Sequence, residues 1–409
     1  MVLFKNKIME ILQSQAFAQA TLEKATEQLK KLVAFPVLGG MSNLSIISYI
    51  EEYLKSYGLE PALVHNEEGN KASLHCRIGP AVDGGIVLSG HTDVVPVEGQ
   101  DWSTDPWLLT DGGDGKLYGR GSCDMKGFIA CCLAVIPDMV QQELEKPIYL
   151  AFSYDEEIGC LGAPDLIDAI NKDYQEQPTY AIIGEPSMMQ PITGQKGMCI
   201  FKTTVNGSEG HSSRINQEVS AIHESARLIL WLENKMKRLI ADGNVDERFD
   251  PPHTSLHSGI IKGGLAPNVI SDSLTFLWDV RTIPRDSLSD IRNDFNAYCA
   301  EIEMEARKKF PKFAITTEEY HPPVPPLDTP ENLDIVRYIR KISGRYDLGA
   351  VSYAAEAGQF MEGGFQSVIC GPGSIAQAHR ANEFISKDQL RLGVEMIIDI
   401  TRSCMAINT

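Results

Sequence analysis

The chain has no membrane-length apolar run, no paired-cysteine spacing and no excess of positive charge, and each absence removes a class of function. Without a run of about 18 apolar residues a membrane span is not expected. Met1 to Gln28 mixes charged and apolar residues and lacks the apolar stretch of a secretory signal, so a cytoplasmic protein is expected. The nine cysteines are odd in number and none forms C-x-x-C, which argues against a disulfide framework and a thiolate zinc site. The adjacent Cys131 and Cys132 read as small core residues. Lys and Arg number 37 against 55 Asp and Glu, a formal net charge of -18, which disfavours nucleic acid as a partner. Also missing are the G-x-x-x-x-G-K-[ST] phosphate loop, the G-x-S-x-G nucleophile elbow, any internal repeat and any low-complexity linker.

What is present is a globular composition, 43% hydrophobic and 22% charged. At 409 residues the chain exceeds one compact core, so two domains are expected. Ser42 or Asn43 can cap a helix with apolar positions at Leu44, Ile47, Ile50 and Leu54, stopped by Gly58. Residues 72–78 read as a short strand, and 85–89 as a buried strand ending at Gly90 and His91. The same event recurs: 148–154 stops at Asp155, Glu156 and Glu157, and 180–183 stops at Gly184 and Glu185. Residues 367–370 then run into a Gly-Pro-Gly loop that carries His379. With helical segments such as 125–139 and 163–170 between them, the pattern is an α/β sheet covered on both faces. Ligands in such sheets sit beyond the carboxyl ends of the strands, and four strands here deliver His, Glu or paired Glu to that edge.

The middle of the chain follows another order. Strand 198–206, helix 215–240, strands 254–262 and 269–280, helix 287–309 and strand 313–320 make βαββαβ, the ferredoxin-like arrangement. Residues 194–320 are therefore expected to form a second domain inserted into a first made of 1–193 and 321–409.

Five residues at the sheet edge suit a metal. His91 and Asp93, two apart on an extended chain, share a face, so Asp93 can accept the other ring proton of His91 and orient it; a structural histidine beside a loop carboxylate has the same signature. Asp124 follows a glycine-rich turn and precedes a helix, as either an N-cap or a carboxylate bridging two cations. Glu156 and Glu157 repel each other at a buried edge unless cations neutralise them, so one could bind metal while the other handles protons; an exposed acidic turn is the alternative. Glu185 is likewise a ligand or a loop residue. With His379, these nitrogen and oxygen donors suit zinc or another first-row divalent ion. A bridging carboxylate would hold two ions about 3.5–4 Å apart, the spacing of hydrolytic two-metal sites. Spacing alone does not name a substrate.

The stretches SGHTDVVP (89–96), DGKLYGRGSCDMKG (114–127), YDEEIG (154–159), AIIGEPS (181–187), GHSS (210–213), GGLAPNVI (263–270) and GPGSIAQAHRANEF (371–384) resemble, in this order, the M20 family of metallopeptidases and deacylases. YHPPVPP (320–326) and GPGSIAQAH resemble its acetylornithine-deacetylase branch in particular. The resemblance implies a zinc-peptidase-like catalytic α/β domain with a ferredoxin-like lid that forms a homodimer contact. It implies that His91, Asp124 and Glu185 hold one divalent ion, and Asp124, Glu157 and His379 the other, zinc foremost and cobalt second. It makes Glu156 the general base, Asp93 the residue that orients His91, and His211 a lid histidine that polarises the scissile carbonyl in the neighbouring subunit's site. Asn268 and Arg281 would hold the substrate carboxylate, a task that suits the guanidinium fork, with backbone donors from Gly373 and Ser374. Glu356 would meet the ornithine ammonium, although the pattern here has Ala355 where the branch carries Thr.

The implied activity is removal of the acetyl group from N-acetyl-L-ornithine, giving L-ornithine and acetate, a step of arginine biosynthesis. Other M20 activities, namely succinyl-diaminopimelate desuccinylase, N-acyl amino acid deacylase and dipeptidase, are its near rivals. A non-catalytic metal- or peptide-binding protein on the same fold is the rival of another class, disfavoured because Glu156 and all five ligands are present. His65, His75, His223, His253, His257 and His321 read as structural or surface residues.

Overall fold

The computed structural model describes residues 19–405; the remaining terminal residues, with most of the segment read above for a targeting signal, lie outside the described residues. The chain divides into two compact units. One runs through Thr193 and takes up Thr329–Gly349 and the chain from Ala355; the other is Gly194–Asp328 with Ala350–Ala354. The second unit therefore extends past residue 320, the boundary expected from the strand pattern.

In chain order the first stretch contains helix α1 (19–33) and α2 (Leu44–Ser56), strands β1 (Ala62–His65), β2 (Ala72–Ile78), β3 (Ile86–His91), β4 (Thr110–Asp111) and β5 (Lys116–Tyr118), then α3 (Lys126–Met139), β6 (Ile148–Ser153), α4 (Ala163–Asp173), β7 (Tyr180–Pro186) and β8 (Ile192–Gln195). The middle contains β9 (Gly197–Asn206), β10 (Gly210–His211), α5 (Ala221–Ala241), β11 (Ser255–Gly263), β12 (Val269–Ile270), β13 (Ser273–Thr282), α6 (Leu288–Ala306) and β14 (Ala314–Glu319). The last stretch adds β15 (Leu327–Asp328), α7 (Asp334–Ser343), β16 (Gly349–Val351), α8 (Ala357–Glu362), β17 (Gln366–Gly371), β18 (Phe384–Ser386) and α9 (Lys387–Ser403).

The central sheet of the first unit has the order β1-β2-β6-β3-β7-β17. Strands β6, β3, β7 and β17 are parallel, while β1 and β2 run antiparallel at one side. Every residue of β3 and β6 is buried, as apolar parallel strands require when helices cover both faces. Helix α3 closes directly onto the sheet: a Cβ at Gly184 would lie 2.1 Å from the Phe128 ring. Only glycine admits that approach, and the next residue is Glu185. The four parallel strands end at one edge, so their termini assemble a site from distant parts of the sequence.

Of the two cap candidates before α2, the Ser42 hydroxyl accepts the Leu44 N–H at 3.5 Å, and Asn43 is used elsewhere. Asn43 makes no capping bond. Its side chain is buried and accepts the Ala72 N–H (2.9 Å) while donating to the Ala72 carbonyl (2.8 Å) and to the Thr92 hydroxyl (3.0 Å). The amide thus pins β2 and the turn after His91, a use that satisfies more buried polar groups than a cap does.

The second unit is a four-stranded antiparallel sheet of order β11-β13-β9-β14, the ferredoxin-like order for a βαββαβ chain. Burial alternates strictly along β9 and β13, giving one apolar face. Phe201 stacks on Trp278 at 4.5 Å, and Trp278 packs on Phe295 of α6 at 4.7 Å. Two expected bounds change. Helix α5 starts at Ala221 rather than 215, because the Ser220 hydroxyl accepts the His223 N–H (3.4 Å) and caps it. The strand expected over 269–280 is two strands, since β12 pairs with β10 and β13 with β9 and β11. Between them, the Ser271 and Asp272 carbonyls accept the N–H groups of Ala221 (2.9 Å) and Gly207 (2.7 Å).

Among the described residues no helix is long and apolar enough to cross a membrane. All nine cysteines are free and buried, Cys131 and Cys132 fully.

Candidate metal centre

Each strand end contributes one part of the site. His91 is the last residue of β3. After β6 the chain turns sharply at Asp155, which adopts φ 54°. Aspartate tolerates that left-handed conformation better than most residues. Asp155 is further fixed by an ion pair with Lys71 and by the Gly40 N–H (2.8 Å). Glu156 and Glu157 follow on this turn, Glu185 lies within β7, and His379 lies in the loop after β17.

These side chains converge. His91 Nε2 lies 3.2 Å from Asp124 Oδ1, 3.8 Å from Glu185 Oε1 and 3.9 Å from Glu156 Oε2. His379 Nε2 lies 3.0 Å from Glu157 Oε2 and 3.6 Å from Asp124 Oδ2. The two oxygens of Asp124 therefore face different histidines, the arrangement a bridging carboxylate needs. The N-cap reading of Asp124 does not hold, because α3 begins at Lys126 and has no side-chain cap. Ligand atoms of His91, Glu156 and Glu185, and those of His91, Asp124 and Glu157, each lie within 4.8 Å of one another.

The donor set fits divalent cations on an independent count. Glu157 Oε1 and Glu185 Oε1 are buried and have no hydrogen-bond partner. Orphaned carboxylate oxygens are costly in a dry site unless a cation meets them. The electrostatics agree. Burial raises Glu156 well above the usual carboxylate range; the repulsion of Glu157, Asp124 and Glu356 adds to it and His91 opposes it. Glu185 is raised in the same way, by burial and by Asp124 and Glu156, and Glu157 by burial and Asp124. Burial alone would lower His91, but Asp124 and Asp93 outweigh it and hold the imidazole well above its ordinary range. For Asp124, burial is outweighed by His91 and the carboxyl is lowered.

A stability prediction follows for the metal-free protein. A carboxyl raised on folding binds more protons folded than unfolded, so its contribution is lost as pH rises from about 4.5 through its folded value. The raised His91 contributes fully below about 6.5 and loses that contribution as pH rises through its own folded value. Asp124 acts oppositely, but only at the acid end of the range. The melting temperature of chelated protein is expected to fall by about 5 °C or more between pH 5 and pH 8. Excess divalent cation should flatten the slope. Calorimetry in matched buffers measures it; a flat or rising profile without metal would show that the cluster is not strained by its own charge.

Several expected roles take a different form. Asp93 reaches His91 Nδ1 through its backbone carbonyl (2.9 Å), with its carboxylate oxygen farther off at 3.6 Å. That carboxylate instead accepts the N–H groups of Glu156 and Glu157, each at 3.2 Å. One residue thus orients the histidine and holds the acidic turn. Glu356 is 1% exposed, and its two oxygens accept the hydroxyls of Ser153 and of Ser89 (3.2 Å). It is a buried carboxylate held under the sheet edge by one strand hydroxyl on each oxygen. The Gly373 N–H is taken by the Gln389 side chain (3.0 Å), so it is not the free donor expected there. The Ser374 hydroxyl accepts the Ala376 N–H at 3.3 Å.

His211, Asn268 and Arg281 belong to the second unit. His211 is exposed at the end of β10, 2.8 Å from the Ser213 hydroxyl through Nδ1. The Ser212 N–H donates to the Asn268 carbonyl (3.0 Å), so the two loops are joined. Arg281 donates to Asp279 at 3.1 Å.

The sequence reading missed Arg120, Gln100 and Glu383, which bind the loops around Asp124 and His379 to one another. Arg120 and Glu383 lie inside two of the quoted stretches, but nothing local marks them as partners.

Comparison with known proteins agrees with this geometry. Residues 87–403 match the model of peptidase family M20/M25/M40. The chain is 32% identical to an acetylornithine deacetylase of Shigella sonnei over 385 residues, 91% of this chain and 96% of that protein. Its fold is similar to an M20 family metallo-carboxypeptidase from Sulfolobus solfataricus, with TM-score 0.73 and 16% identity over 93% of this chain and 98% of the other. It is similar also to a dinuclear metal-binding M20 peptidase of Bacillus subtilis, with TM-score 0.63 and 14% identity over 95% and 99%. With a family match over most of its length and a clustered His, Asp and Glu site, the chain belongs to peptidase family M20/M25/M40 and is a metal-dependent hydrolase.

Proposed function

We propose that the protein removes the acetyl group from N-acetyl-L-ornithine, giving L-ornithine and acetate. The observation that carries this reading is the 32% identity to an acetylornithine deacetylase across nearly the full length of both chains. His91, Asp124 and Glu185 would hold one divalent cation, and Asp124, Glu157 and His379 the other, zinc first and cobalt as the alternative. Bound there, the cations supply Lewis acidity, which polarises an amide carbonyl and acidifies water to a pKa near about 7. The residues do the rest. Glu156, the acidic residue left over from the ligand set, takes the proton of the attacking water and returns it to the departing amine nitrogen. Asp93 keeps His91 in register and holds the backbone of Glu156. His211 would donate to the oxygen as charge builds on it, where such donors help most. Arg281 and Asn268 would receive the substrate carboxylate. In this reading the protein is cytoplasmic and a homodimer through its second unit. Support for the dimer comes from β11, the edge strand of that unit's sheet, where Ile260 and Ile261 are about half exposed, and from Leu265, which is 86% exposed.

The test is a panel with defined zinc or cobalt: N-acetyl-L-ornithine, N-succinyl-diaminopimelate, other N-acetyl amino acids and dipeptides. The acetylornithine kcat/KM is expected to exceed the others by at least about tenfold, equivalent to about 1.4 kcal/mol of transition-state discrimination. Higher efficiency on the succinyl or dipeptide substrates would move the protein to another activity of the family.

A further inference from the structure

We propose that Glu383, acting with Arg120, is a positioning residue that fixes Asp124 opposite His379 and thereby sets chiefly the affinity of the cation site that His379 completes. The proposal rests on the two-cation reading above.

Glu383 is completely buried and Arg120 is 1% exposed. One carboxylate oxygen of Glu383 accepts the N–H groups of Cys123 (2.8 Å) and Asp124 (3.0 Å). The other accepts the Gly121 N–H (3.0 Å) and the Arg120 guanidinium (2.8 Å). Four donors use the whole accepting capacity of a carboxylate, and three of them are the backbone of the turn that presents Asp124. Within the turn, the Ser122 N–H donates to the Gly119 carbonyl (3.1 Å) and the Lys126 N–H to the Gly121 carbonyl (2.9 Å), which leaves the Gly121, Cys123 and Asp124 N–H groups to Glu383. The turn precedes α3, whose start has no side-chain cap.

Glu383 is itself fixed. The Gly119 N–H donates to its carbonyl (3.0 Å), and the next residue opens β18, which pairs with β5 through Phe384 and Tyr118. On the other side, Arg120 donates to Gln100 Oε1 (2.5 Å), and the Gln100 amide donates to the His379 carbonyl (3.0 Å). Arg120 also reaches the carbonyls of Arg380 (3.3 Å) and Pro96 (3.4 Å) and stacks over Trp102 at 5.1 Å. The path from Asp124 through Glu383, Arg120 and Gln100 to His379 is therefore closed by hydrogen bonds at every step. It joins the backbones of the two residues whose side chains meet at 3.6 Å.

The consequence is asymmetric. His91 is held by β3 and by Asp93, independently of this path. His379 sits on a loop with its side chain 57% exposed, so its placement depends on the path more than that of any other proposed ligand. Asp124 is common to both sites, so loosening Glu383 should weaken both, but the site of Asp124, Glu157 and His379 far more, because two of its ligands depend on the path and only one of the other site's does. Residues that orient metal ligands typically change affinity by about 10–100-fold when replaced.

The experiment titrates metal-free wild type and Glu383→Gln with cobalt, followed by visible absorption and calorimetry. Glutamine keeps the shape but points an NH2 group at backbone donors. Wild type is expected to take up two cobalt ions. Glu383→Gln should bind the first within about threefold of wild type and the second about 10–100-fold more weakly. Gln100→Ala, which cuts only the arm to His379, should weaken the second ion alone, by a smaller factor, and it keeps the test available if Glu383→Gln does not fold. Equal weakening of both ions, or an unchanged second ion, in the variant that folds overturns the proposal. Wild type that binds fewer than two ions overturns the two-cation reading instead, a result separate from any effect of the variants.

Discussion

Glu156→Gln is expected to lower turnover by about 10²–10⁴-fold, the usual worth of a general acid–base group, with metal content and melting temperature nearly unchanged. The substitution is nearly isosteric and removes the only property the mechanism uses, the capacity to take a proton. The backbone of Glu156 should stay in place, because its N–H is held by the Asp93 carboxylate rather than by its own side chain. The neighbours of the carboxylate are few: the Cys160 thiol at 3.5 Å and His91 at 3.9 Å. Its raised proton affinity, caused by burial and by Glu157, Asp124 and Glu356 against the pull of His91, suits a group that must accept a proton and later release it. Steady-state rates on acetylornithine, with metal content measured on the same samples, decide the matter. Turnover within about threefold of wild type at full metal loading would falsify the role of Glu156, since that loss is far below a general base's worth.

Chelation is expected to abolish hydrolysis, and added zinc or cobalt to restore it. The carboxylates and imidazoles at the sheet edge hold no group that could polarise an amide by themselves, and their mutual repulsion is relieved only by positive charge. The same treatment should change stability. At a free cation concentration about 100 times the dissociation constant, linkage adds about 2.7 kcal/mol. In a unit of this size that corresponds to about 5–10 °C of melting temperature. Both readouts should saturate over the same range of added metal. Full activity after exhaustive chelation would remove the metal from the reaction, and a melting temperature indifferent to metal would place the cations elsewhere.

Most of the catalytic unit was legible because parallel buried strands leave a strong local signal. Runs such as Ile86–His91 and Ile148–Ser153 are mostly apolar and buried throughout, and they lead into a histidine or a pair of acids. A strand that ends in costly polar residues names its own functional edge. The alternation in β9 and β13 similarly announced the second sheet. What misled was chemistry that local pattern cannot apportion. Asn43 stands where a cap belongs but ties β2 to the turn after His91. The apolar content of 269–280 is continuous, although its two halves pair with different strands.

By itself, then, the sequence determined the two folds, the family, and which histidines and carboxylates form the cluster, because periodicity and motif order are properties of neighbours along the chain. Tertiary structure alone decided that the oxygens of Asp124 face two different histidines, that Asp93 serves His91 through its carbonyl, that Glu356 is bound by Ser89 and Ser153, and that Glu383 carries the turn of Asp124. Each of these depends on where hydrogen-bond donors from remote segments arrive. A buried carboxylate's role is set by which donors reach it, and that is fixed only when the chain has closed around it.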